Sequence, residues 1–91
     1  MALPPVVQEF AARIVQYRRD PTTADVLLVW LEDYAHFDPL CDDTPCRWLA
    51  PKVLERLQAA RAGRITPERA HEAIAAMIPE YDAQRAQWPL G

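Results

Sequence analysis

The sequence predicts an all-α fold, a small compact bundle of four to five short helices around one broadly apolar central helix. Three observations predict it. Apolar residues recur at steps of three and four along most of the chain, no β-type alternation persists beyond four residues, and proline and threonine punctuate the periodic stretches at helix-length intervals. With 91 residues, 51% of them hydrophobic, residues 1–91 suit one domain, and no internal repeat divides them.

Each element has its own signal. Val6, Val7, Phe10, Ile14 and Tyr17 form one stripe of a helix over residues 5–19, which Asp20-Pro21 stops. Thr22 or Thr23 can cap a second helix running from residue 24 to about residue 37, with Asp25 near its positive end. Ala24, Val26, Leu27, Leu28, Trp30, Leu31, Tyr34, Ala35 and Phe37 cover more than half of its circumference. Asp25, Glu32, Asp33 and His36 share the remainder with a lone Val29. A helix so widely apolar needs cover on several sides, from the bundle or from a second subunit, so a homodimer is one expectation.

Residues 38–44 read as an acidic loop. Thr44-Pro45 reads as a cap and first helical residue, but Pro51 limits that helix to a short turn over residues 45–49. A third helix over residues 51–62 buries Val53, Leu54 and Leu57 and ends at Gly63 in a left-handed conformation. Thr66-Pro67-Glu68 opens a fourth, with Ala70, Ala73, Ile74, Met77 and Ile78 inward. Pro79 interrupts it, and Glu80 and Asp82 favour a fifth short helix to about residue 88.

Composition removes several chemistries. The chain has no serine, no asparagine and two glycines, so serine-hydrolase, P-loop and Rossmann readings lack their essential residues. Its longest apolar run, residues 26–31, is far below the roughly 20 residues that span a bilayer, and no signal-peptide pattern opens it. The expectation is a cytoplasmic protein without a membrane segment. The net charge of -3 hides a polarity: residues 21–50 hold six acids against Arg47, and residues 51–70 hold five bases against Glu55 and Glu68.

His36, Cys41, Cys46 and His71 are the candidate metal or nucleophile set. Four-residue gaps replace the close Cys-x2-Cys pairs of structural zinc, and no glycine-lined cleft or oxyanion donor array accompanies the thiols, so no metal, cofactor or catalytic residue is assigned. Residues 52–78 have the outline of a helix-turn-helix. However, the second helix, PERAHEAIAAMI, offers one arginine and no lysine, glutamine or asparagine to base edges, and Glu68 and Glu72 would face phosphates. Nucleic acid is therefore not the expected partner.

What remains is contact chemistry. Ala75 and Ala76 flatten the outside of the fourth helix, and Trp48 and Trp88 stand where full burial is hard to arrange. Glu32, Asp33, Asp38, Asp42 and Asp43 put negative charge on one end, which could dock on a basic surface. The expected function is that of a non-catalytic protein-interaction module, an adaptor or inhibitor. It would grip a protein partner through Glu32, Asp33, His36, Asp38, Asp42, Asp43 and Trp48. An acidic blocker of a nucleic-acid-binding site on an enzyme is the alternative, ahead of a helix-turn-helix regulator.

Overall fold

The computed structural model describes residues 4–87, and Trp88 lies outside them. Five helices follow in order: α1 (Pro5–Arg19), α2 (Ala24–Glu32), α3 (Tyr34–Leu40), α4 (Thr44–Arg61) and α5 (Pro67–Gln87), with a 3-10 turn at Pro21–Thr23 between the first two. No strand occurs among the described residues. α4 and α5 form the long pair, and α2 packs against α1, α3 and α4.

The inward stripe of α1 is the expected one: Val7, Phe10, Ile14 and Tyr17 are buried, with Val6 packed beside them. Asp20 ends the helix in an extended conformation. Its carboxylate accepts from both the amide (3.1 Å) and the hydroxyl (2.6 Å) of Thr22, so the turn is capped by Asp20 rather than by a threonine. At the far end of α4, Gly63 adopts φ 77°. The Gly63 amide reaches Ala60 O at 3.0 Å and the Arg64 amide reaches Ala59 O at 2.9 Å, closing the left-handed C-cap foreseen there. Thr66 caps α5 through its hydroxyl, which accepts from the Arg69 amide at 3.1 Å.

Two helices are longer than the prolines predict. α4 runs for 18 residues through Pro51, and α5 for 21 through Pro79. A mid-helix proline costs about 3 kcal/mol, so the packing on either side must offset it. Leu49, Ala50, Val53 and Leu57 are buried as one stripe across Pro51; Ile74, Ile78 and Tyr81 do the same across Pro79. Each large apolar side chain contributes roughly 1.5–3 kcal/mol on burial. Both prolines are themselves exposed, so neither takes a place in the buried stripe. Lys52 adds support at the first, donating to Trp48 O at 3.1 Å.

The second correction concerns residues 24–37. Instead of one helix, Asp33 is extended (φ -84°, ψ 119°) and separates α2 from α3. The Asp33 carboxylate accepts from the Ala35 amide at 2.9 Å and begins α3. Of the wide apolar girth, Leu27, Leu28, Trp30 and Leu31 are buried, but Val26 is 54% exposed, next to Val29 of the polar strip at 65%. The central helix is thus open on one side.

Replacing Pro51 with alanine should raise stability. The recovered helical propensity, about 3 kcal/mol, exceeds the 0.4–1 kcal/mol lost by freeing the unfolded chain, for a net gain of about 2 kcal/mol in urea unfolding. Leu31→Ala should cost roughly 2–5 kcal/mol in the same assay.

Candidate functional site

The acidic residues of the expected edge separate into four environments. Asp43 is buried. It caps α4, its carboxylate accepting from the Cys46 amide at 3.1 Å, and it pairs with both terminal nitrogens of Arg85 at 2.8 and 2.5 Å. Arg85 also reaches the Tyr81 hydroxyl at 3.3 Å and Cys46 Sγ at 3.5 Å, so four polar side chains lock the start of α4 to the end of α5. Burial alone would raise the pKa of Asp43. The hydrogen bonds from Arg85 and Cys46 outweigh it and hold the carboxyl below its ordinary range. Asp43 thus serves as cap and buried ion-pair partner, away from solvent.

Glu32 is likewise spoken for, although exposed. It accepts from Arg61 at 3.0 and 2.7 Å and from Gln58 at 3.2 Å, and these contacts lower its pKa. The opposite charges of the two sequence regions therefore meet partly inside one chain. Trp48 is half-buried against the core with the Lys52 ammonium 4.8 Å from its ring centroid. Asp38 and Asp42 are exposed at the end of α3 and in the turn that follows.

Asp33 and His36 lie elsewhere, at a cleft that the sequence reading did not outline. The His36 ring stacks on Trp30 with centroids 4.5 Å apart and planes 12° apart, and Phe10 stacks on Trp30 at 6.2 Å and 10°. His36 Nδ1 lies 2.9 Å from Trp30 O and, facing a carbonyl, donates to it, so this side chain satisfies the end of α2. In an uninterrupted helix, His36 would be six positions from Trp30 and about 240° around the axis, so the stack depends on the break at Asp33. Beside this stack is a shallow cavity of about 500 Å³. Val26, Val29 and Trp30 form its apolar part, Asp25 and Asp33 its acids, and Arg13 and His36 complete it. Arg13 is bonded to Glu9 at 3.0 Å, with its guanidinium 5.4 Å from the Trp30 centroid. Tyr34 follows Asp33 and is 78% exposed.

Val29 alone in the polar strip was the sequence signal for this cleft. Arg13 had none, because only tertiary packing brings α1 to α2.

Both cysteines are free thiols. Cys46 is buried, and burial together with Asp43 pushes its thiol up to about 12; burial and the nearby Asp38 and Asp42 raise that of Cys41. Tyr81 is pushed up to about 12, chiefly by burial. Among the described residues no group of three or more His, Cys, Asp or Glu side chains is arranged to hold a metal, and no helix is long and apolar enough to cross a membrane. His71, the remaining metal candidate, donates from Nε2 to Arg18 O at 3.2 Å and stands edge-on to Tyr17 at 5.0 Å, tying α5 to the end of α1.

Comparison with protein-family models, with curated proteins and with solved structures finds no match.

Asp43→Asn should destabilise the fold by about 3 kcal/mol, as loss of a buried ion-pair partner does. Because the native carboxyl is the stronger acid, the pair's contribution is complete above about pH 4 and disappears as pH falls through the depressed native value. Acid titration of unfolding free energy should therefore be flatter in the variant. At pH 8, an aromatic disulfide reagent should modify Cys41 slowly and Cys46 only after denaturant is added, measured as thiols released with time.

Proposed function

We propose that this chain is a non-catalytic protein-interaction module whose docking face is the cleft between α2 and α3. The observation that carries the reading is the exposure of Val26 and Val29 on a helix whose other large apolar residues are buried. Solvent-facing aliphatic side chains grouped beside a concave, acid-rimmed surface are characteristic of a site completed by another molecule. The thiols, held protonated, favour contact over bond-making chemistry. On α5, exposed Glu68 and Glu72 disfavour a phosphate backbone as the partner.

Charge selects the kind of partner. Asp25 and Asp33 contribute two negative charges to the rim, and its arginine is already engaged by Glu9. Two copies of the same face would oppose like charges, which disfavours a homodimer through this cleft. Another protein presenting basic and aliphatic side chains fits better, with exposed Asp38 and Asp42 extending the attracting field.

Capture from a host extract tests the site. Val29→Glu should remove the proteins that the parent chain retains, whereas Arg56→Glu on α4 should keep them, both variants having the parent's helical circular dichroism. Retention by Val29→Glu overturns the assignment.

A further inference from the structure

Resting on the docking face just assigned, we infer that its occupant is a cationic amphipathic helix with two basic side chains two turns apart and an aliphatic side chain between them. Asp25 stands in the first turn of α2 and Asp33 at its end. Eight residues separate them, which at 1.5 Å per residue is about 12 Å along the axis. Val26 and Val29 lie in that interval, 54% and 65% exposed. Along α2 the surface therefore alternates acid, apolar, acid.

The matching pattern on a helix laid along α2 has bases at positions i and i+7 or i+8 and an aliphatic residue at i+3 or i+4, all on one face. A strand is a poor occupant, because the amides and carbonyls within α2 are bonded inside the helix and give its backbone no ladder; a helix satisfies its own. Recognition of a polyproline segment or a quaternary ammonium group needs an open aromatic face. Trp30 has none, being 6% exposed with Phe10 and His36 stacked on it and the Arg13 guanidinium over its ring. The acids retain their attraction for a base. Asp33 uses one carboxylate oxygen to cap α3 and has the other 4.0 Å from His36 Nδ1, yet its side chain stays 55% exposed, and Arg61, whose charge Asp25 feels, is bonded to Glu32.

The test titrates the full isotope-labelled chain with synthetic helical peptides and follows nuclear magnetic resonance shifts. A peptide with arginines at i and i+7 around a central leucine should move the Val26, Val29 and Trp30 indole signals with one-to-one stoichiometry, and binding should weaken with added salt. Asp25→Asn with Asp33→Asn should reduce affinity roughly five- to tenfold; asparagine keeps the α3 cap, so folding is preserved. Glutamates in place of the arginines should abolish binding, and arginines at i and i+4 should weaken it. Equal binding of acidic and basic peptides, shifts confined to another face, or concentration-dependent self-association through Val29 without any peptide response would each overturn the inference. If Val29→Glu abolishes capture of a host protein whose contacting segment proves not to be a basic helix, this inference fails while the docking face stands. Capture unaffected by Val29→Glu removes both.

Discussion

Asp33 holds its backbone extended while its carboxylate takes the Ala35 amide, so α2 stops and α3 starts within one residue. The cleft depends on that local exchange. It brings the His36 ring onto Trp30, gives the last turn of α2 a side-chain donor, and positions Asp33 at the edge of an apolar surface. A continuous helix would satisfy more backbone groups in register, but it would carry His36 away from the indole and close no cleft. The stack of Phe10, Trp30 and His36 joins α1, α2 and α3, so the site rests on core packing more than on loop conformation.

A second polar arrangement locks α4 to α5. Asp43, Cys46, Tyr81 and Arg85 connect elements about 40 residues apart in sequence, and Tyr81 meets Phe10 edge-to-face at 6.2 Å. Buried ion pairs are weak sources of net stability and severe liabilities when half removed. Here the carboxylate also caps α4, and the guanidinium also serves a hydroxyl and a sulfur, so the desolvated groups are nearly all satisfied. The pair therefore sets the relative placement of α4 and α5 more than it adds to folding free energy. Glu32 with Arg61 and His71 with Arg18 O provide comparable, more exposed ties.

Much of the fold was legible because its signals are local. The α1 stripe, the Gly63 terminus and the Thr66 cap each follow from residues within about three turns of one another. The misreadings at Pro51 and Pro79 share one cause: proline's penalty is local, whereas the burial of Ala50 and Ile78 beside those prolines comes from distant partners. The candidate site was legible only in part. Asp33 and His36 reach the cleft, but Asp43 and Glu32, similar as acids in sequence, are engaged by Arg85 and Arg61. Nothing adjacent to an aspartate tells whether an arginine 42 positions later will cover it.

By itself, then, the amino-acid order determined the helical class, most of the inward-facing residues and the absence of a recognisable catalytic motif, since periodicity, capping and composition act over a few residues. Tertiary structure alone decided which charges remain available, that Val26 and Val29 stay outside the core, and that Arg13 and His36 meet at Trp30. Those outcomes depend on the direction in which each helix leaves its turn. A single extended residue such as Asp33 redirects every side chain that follows it.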